Sequence, residues 1–145
     1  AGKRVDKSGK FIVKKLKDKN IDVIEYKVVP DDSSVIEKLL VKYSDFLDLN
    51  LIVTTGGTGL GPRDVTPEAT RNVIEKEITG IVEGSRAYGQ RRTPLSMLSR
   101  GIAGIRGTSL IINIPGSLMA VSESLDFLFP GLEHAFKMME GHGHK

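Results

Sequence analysis

Cysteine is absent from this chain of 145 residues. Thiol nucleophiles, Cys-ligated zinc and iron–sulfur clusters are therefore excluded. A core at this length needs no disulfide or metal staple, since a domain near 150 residues buries about 70% of its unfolded-chain surface. Nowhere is there a run of the roughly 18 apolar residues that a membrane-spanning helix requires. The opening AGKRVDKSGK has no apolar centre of the secretory kind. Cytoplasmic residence without a membrane partner is the expectation. Repeats, low-complexity tracts and linkers are also missing. One domain over residues 1–140 with a disordered tail at 141–145 (GHGHK) follows as the expected organisation.

A further scarcity is local. The chain has 21 basic and 18 acidic residues, yet residues 84–122 contain no Asp, Glu or Lys. Their charge comes from Arg86, Arg91, Arg92, Arg100 and Arg106, a +5 segment against a remainder of 16 basic and 18 acidic residues at −2. A nucleic-acid binder usually spreads Lys and Arg over a face or tail, so no nucleic-acid partner is expected. Guanidinium forks match phosphate and carboxylate, and an arginine-only stretch suits a specific anionic ligand. Arg86, Arg91 and Arg92 lie in no recognisable motif and read as surface residues.

Elements alternate along the chain. Residues 8–19 predict a basic amphipathic helix with Ser8 as cap, and Ile21 to Val29 a strand ended by Pro30. Ser33 or Ser34 caps a second helix, and Leu49 to Thr55 has the length of a buried strand. Thr66-Pro67-Glu68 supplies a capping hydroxyl, a first-turn proline and a first-turn acid for a helix to about Lys76. A helix over 80–92, another from Thr93-Pro94 to Gly101, a strand over Thr108–Ile114 and a C-terminal helix broken at Pro130 complete the reading. This is an α/β pattern: three layers, α/β/α, around a mostly parallel, doubly wound sheet. Such a domain normally opens on a strand, so a first strand is expected upstream of Ala1.

In open α/β sheets, ligands sit beyond the carboxyl ends of the strands. Three loops qualify: Val29-Pro30-Asp31-Asp32, Thr54 to Thr66, and Asn113 to Ser117. The second holds four glycines between Gly56 and Gly61 and then runs into a helix N-terminus. Its N–H groups can form an anion-binding concavity. It is neither a phosphate-binding loop of the GxxxxGK[ST] type nor a dinucleotide fingerprint, because Pro62-Arg63 follows Gly61. Asp64 beside a phosphate site calls for a cation, and Asp31 or Asp32 can join it from the neighbouring loop. Carboxylates together with phosphates are the usual holders of Mg²⁺. One of Asp31 and Asp32 is expected to be only a turn or helix cap. No Ser-His-Asp or Cys-His arrangement is visible, and His134 reads as a helix residue in the core or on the surface.

Thr55-Gly-Gly-Thr-Gly59 followed by Pro62-Arg-Asp-Val-Thr-Pro-Glu-Ala69 closely resembles the MogA/MoaB molybdenum-cofactor family. That family includes the G domain of gephyrin. The match continues through Met97-Leu-Ser-Arg100, Ala103-Gly-Ile-Arg-Gly107, Leu110-Ile-Ile-Asn-Ile-Pro-Gly116 and Val29-Pro-Asp31. The resemblance implies a molybdopterin-binding domain that is usually a trimer and sometimes a hexamer. It implies adenylylation of molybdopterin by Mg-ATP, with a molybdate-insertion protein consuming the product. It further implies Asp31 and Asp64 as the essential, metal-holding acids, and Gly56, Gly57, Thr58, Gly59, Arg63 and Thr66 as ligand-loop residues. Ser99, Arg100 and Arg106 would contact the pterin phosphate, and Asn113, Pro115, Gly116 and Ser117 would form the third loop. A MoaB-like protein that binds molybdopterin without efficient transfer is the alternative. A gephyrin-type scaffold ranks below both.

Overall fold

The computed structural model describes residues 6–141. The chain runs through α1 (Lys7–Asp18), α2 (Ser33–Val41) with a π-helical extension (Lys42–Phe46), β1 (Leu51–Thr55) and α3 (Thr66–Val73). It continues through β2 (Lys76–Glu77), α4 (Thr79–Gln90), a 3₁₀ turn (Pro94–Leu98), β3 (Ala103–Arg106), β4 (Ser109–Ile114) and α5 (Leu118–Met139). Residues 142–145 of the expected tail, and the strand expected before Ala1, lie outside the described residues.

Strand order is β1-β4-β3-β2. β4 is buried along its whole length, because both of its faces carry helices. Leu110, Ile112 and Ile114 face α1, α4 and α5, contributing to a core with Ile12, Leu16, Val82, Val121 and Leu125. Ile111 and Ile52 face the opposite layer, against Ile36, Leu40, Ala69 and Val73 of α2 and α3. The three-layer α/β/α arrangement is the one expected from the alternating pattern.

The sheet itself is mixed rather than mostly parallel. β1 pairs parallel with β4, but β3 pairs antiparallel with both β4 and β2. The cause is the two-residue connection Gly107-Thr108. Gly107 has φ +56° and Thr108 is not in the left-handed region, the pattern of a type II′ hairpin turn that folds β3 directly back onto β4.

Other local expectations shift for identifiable reasons. Residues 21–29 form no ladder among the described residues. Ile21 and Val23 pack toward α1 and Val29 toward the other layer, while Ile24 and Val28 are exposed. Their β-branched spacing reflects one-sided packing, and β-propensity supplies no partner strand. Asp6, not Ser8, caps α1 by accepting from the Gly9 N–H at 2.9 Å. The expected helix from Thr66 stops at Val73, and Lys76–Glu77 turns into β2. The segment from Thr93-Pro94 is a short 3₁₀ turn capped by Thr93. Pro130 lies within α5 without ending it. Leu128 and Leu132 on either side are buried in the core, and this anchoring offsets the hydrogen bond that proline removes.

Leu110 is fully buried at the centre of the sheet. Leu110→Ala should cost about 2–5 kcal/mol, seen as a lower denaturant midpoint with an unchanged slope.

Candidate functional site

The parallel pairing of β1 and β4 sets Thr55 beside Ile114. Both strands therefore deliver their following loops to the same edge. The loops are tied together: Gly56 N donates to Ile114 O at 3.0 Å, and Thr55 Oγ1 donates to Pro115 O at 3.0 Å. A Cβ on Gly116 would sit 3.1 Å from the Gly56 Cα, so a side chain there would push the two loops apart by a few tenths of an ångström. Ser117 caps α5 by accepting from the Ala120 N–H at 3.2 Å. Ser8 of α1 donates to Gly116 O at 2.7 Å, which fixes the third loop from outside.

Asn113 locks the strand ends. Its Nδ2 donates to Thr54 Oγ1 at 2.9 Å and Thr70 Oγ1 at 3.0 Å, and its Oδ1 accepts from the Ile102 N–H at 3.1 Å. One buried amide thus joins β4, β1, α3 and the approach to β3, with its donors and acceptor satisfied.

The glycine loop is held from its back by Arg100. Arg100 Nε donates to Gly59 O at 2.7 Å and Nη2 to Asp64 O at 2.7 Å, while the guanidinium grips the Glu68 carboxylate at 2.5 Å. The Arg100 N–H also donates to Thr58 O at 2.8 Å, and Thr66 N–H to Gly57 O at 3.2 Å. In a trans peptide, C=O and N–H point in opposite directions. Binding the carbonyls of Gly57, Thr58 and Gly59 therefore turns the N–H groups of Thr58, Gly59 and Leu60 away from the clasp. Gly56 and Gly57, at φ +88° and +70°, make that turn possible. Asp64 folds back into the loop, its Oδ2 accepting from the Gly61 N–H at 2.9 Å.

A cavity of about 500 Å³ opens in front of these loops, within the range of small-molecule sites. Gly56, Gly57, Thr58, Gly59 and Asp64 line one side. Asn113, Pro115, Gly116, Ser117 and Ser99 line the adjoining part. These sequence-predicted residues are brought together. The others are placed elsewhere. Arg63 is exposed, and Thr66 is buried behind Gly57. Arg106 is not at the cavity: it pairs with Asp45 at 2.8 Å and donates to Val73 O at 2.8 Å. Arg100 acts on the loop's carbonyls. Asp31 is exposed and outside the cavity lining, and Asp32 is the cap of α2, accepting from Val35 N–H at 3.2 Å.

The opposite wall was not read from motifs. It comes from α4, the 3₁₀ turn and α5, and includes Ser85, Arg86, Arg92, Ser96, Glu123 and Ser124. Arg92 pairs with Glu123 at 2.6 Å. Arg86, expected at the surface, is half-buried here, with Nη1 donating to Ser99 O at 3.0 Å and Gly101 O at 3.2 Å. Arg91 does lie at the surface, over the Tyr88 ring. The acid-free run of arginines was the available signal. Chain position alone does not tell a cavity arginine from a paired one.

Hydrogen bonding to Arg100 holds the Glu68 carboxyl below its ordinary range, and the same contact raises Arg100. Asp45 is lowered by Arg106 in the same way. A carboxyl lowered in the folded state stabilises the fold above its unfolded value, about 4.3 for Glu, and that contribution is lost as pH falls through the folded value. Glu68→Gln should therefore lower the denaturant midpoint at pH 6, with the gap to the parent closing toward pH 3. A gap that stays constant with pH would show that charge is not what holds the clasp.

Comparison with known proteins identifies relatives over most of the chain. A family model described as a probable molybdopterin binding domain matches residues 1–134. A molybdopterin adenylyltransferase of Helicobacter pylori is 41% identical over 138 residues, covering 94% of this chain and 78% of that protein. The crystal structure of the molybdopterin biosynthesis enzyme MoaB from Thermus thermophilus superposes with a TM-score of 0.90 at 44% identity, covering 99% of this chain and 91% of that one. A tungsten cofactor synthesizing MoaB from Pyrococcus furiosus superposes at 0.81 with 32% identity, over 95% of this chain and 88% of that one.

Proposed function

The chain belongs to the molybdopterin-binding domain family of molybdenum-cofactor biosynthesis, and from that premise we propose that it is a molybdopterin adenylyltransferase. The observation that carries the proposal is the glycine loop, whose carbonyls are bound by Arg100 and Thr66 and whose N–H groups point away from them, beside Asp64 in a cavity of about 500 Å³. Two anionic substrates must meet in such a site. An oxygen of the pterin phosphate attacks the α-phosphorus of ATP, and the bond from that phosphorus to the β-bridging oxygen breaks. Pyrophosphate leaves and adenylylated molybdopterin remains. The attacking phosphate is already ionised at neutral pH, so the protein needs no strong base. Its tasks are alignment, which supplies up to ~7–11 kcal/mol in ideal cases, and stabilisation of charge by fixed N–H groups.

The chemistry suits Mg²⁺ accompanying the triphosphate, where it neutralises charge. Among the described residues no group of three or more acids or histidines is placed to hold a metal. Mg²⁺ commonly takes one or two carboxylates and completes its shell with phosphates and water. Asp64 is the carboxylate in the cavity lining, and Asp31 on the neighbouring loop is the proposed second. The position of Asp31 outside that lining favours a second reading, in which the protein binds molybdopterin without efficient transfer.

In this reading the protein is cytoplasmic, and a molybdate-insertion protein takes the product. Among the described residues no helix is long and apolar enough to cross a membrane. A homo-oligomer, a trimer or a hexamer, belongs to the same proposal. Exposed Leu95, Met97 and Met119 near the cavity support it as apolar surface to be covered.

Incubation with molybdopterin and Mg-ATP should yield adenylylated molybdopterin and pyrophosphate. Asp64→Asn should retain pterin binding and lose transfer by about 10²-fold or more, the scale of losing one preorganised electrostatic contact. Bound pterin with no adenylylated product from the parent protein would select the binding-only reading. Unchanged turnover in Asp64→Asn would remove Asp64 from the mechanism. Sedimentation should give three or six copies; a monomer would refute the oligomer.

A further inference from the structure

Charge accounting around the cavity singles out one arginine. Arg92 lines the cavity but is paired with Glu123 at 2.6 Å. Arg100 is held by Glu68 and by two loop carbonyls, and Arg106 by Asp45 away from the cavity. Among the described residues Arg86 has no carboxylate partner. Its Nη1 serves the carbonyls of Ser99 and Gly101, and Nε and Nη2 have no acceptor among the described residues. A guanidinium carries five N–H donors and stays charged. A half-buried guanidinium with open donors at a cavity can receive an anion there.

Its surroundings fit one. The Ser96 hydroxyl donates to Arg86 O at 3.0 Å, fixing the base of the residue to the cavity wall. Ser99, whose carbonyl Arg86 holds, reaches the glycine loop by donating to Thr58 Oγ1 at 3.5 Å. Ser85 donates to Ser124 at 3.3 Å on the same wall. Thr58 and Ser124 accept in these bonds, so each keeps its own O–H proton for a ligand in the cavity that Arg86 also lines. Those two hydroxyls and the open guanidinium donors of Arg86 suit a phosphate monoester.

We propose that Arg86 receives the terminal phosphate of the pterin, fixing the attacking group between the α4 wall and the glycine loop. The assignment rests on the reading of the cavity as a molybdopterin site. It moves the phosphate contact from Arg100 and Arg106, whose guanidinium groups are held by the scaffold, to an arginine outside the family motifs quoted above. It also gives the attacking phosphate a counter-charge as it approaches a second polyanion.

The test is a cycle of two ligands and two proteins. Molybdopterin and the same pterin freed of its phosphate are titrated against the parent protein and Arg86→Gln. Arg86→Gln should weaken the phosphorylated ligand by about 10- to 100-fold, the range of a hydrogen bond to a charged group, and leave the dephosphorylated ligand within about threefold. Equal losses for both ligands would mean that Arg86 only holds the carbonyls of Ser99 and Gly101, and would overturn the proposal. So would no loss for either. Failure of the parent protein to bind either pterin would instead overturn the underlying pterin-site reading. A measurement on the parent protein guards against misfolding of the variant. In ¹⁵N-arginine spectra, the Arg86 Nε signal should move with molybdopterin and hold still with the dephosphorylated form. A signal that stays in place with both overturns the assignment.

Discussion

The parallel pairing of β1 with β4 is the constraint on which the site depends. Because Thr55 stands beside Ile114, two loops far apart in sequence leave the sheet at one edge. Parallel strands need a crossover between them, and here it contains the glycine loop, α3, β2, α4, the 3₁₀ turn and β3. That crossover contributes both the glycine loop at one side of the cavity and the α4 wall at the other. The Asn113 amide spans the junction, with Thr54, Thr70 and Ile102 as partners. Losing that amide would leave buried polar groups unpaired in the strand pair that sets the loops' spacing.

A second level of organisation concerns which way the backbone points. A glycine-rich loop is permissive, and permissiveness alone gives no anion site. The loop acquires direction because Arg100 and Thr66 take the carbonyls of Gly57, Thr58 and Gly59. In the proposed phosphate site the arginine would act indirectly, by orienting N–H dipoles, and its own charge is answered by Glu68. This division explains how an arginine within a ligand-binding motif can belong to the scaffold.

Much of this was legible in the sequence. The apolar run at 109–114, the glycine loop and the Pro-Gly turn near 115–116 carry local signatures of burial, tight approach and helix entry. The mixed sheet was less legible, because β3 is four residues long and its direction is decided by a two-residue turn. The 21–29 segment has strand chemistry but no described ladder. Of Asp31 and Asp32, one was expected to be a cap, and the helix geometry assigns that role to Asp32. The arginines were the least legible. Arg100 finds Glu68 across 32 positions and Arg106 finds Asp45 across 61. Whether a positive charge is answered or left open is a tertiary property, with no trace in local spacing.

That property also changes what the +5 segment means. Arg92, Arg100 and Arg106 are matched by Glu123, Glu68 and Asp45, acids that all lie outside residues 84–122. Arg91 sits on an aromatic face at the surface. With Arg92 and Glu123 paired, the charge facing the cavity reduces to Arg86 against Asp64, one of each sign on different elements. A cavity of uniformly positive charge would hold any polyanion, including pyrophosphate after transfer. One positive and one negative group instead sort a phosphate toward one wall and a cation-bearing phosphate toward the other. Under the proposed assignment the pairing of the remaining arginines would be part of specificity, because it keeps their charge from competing with the one that is left open.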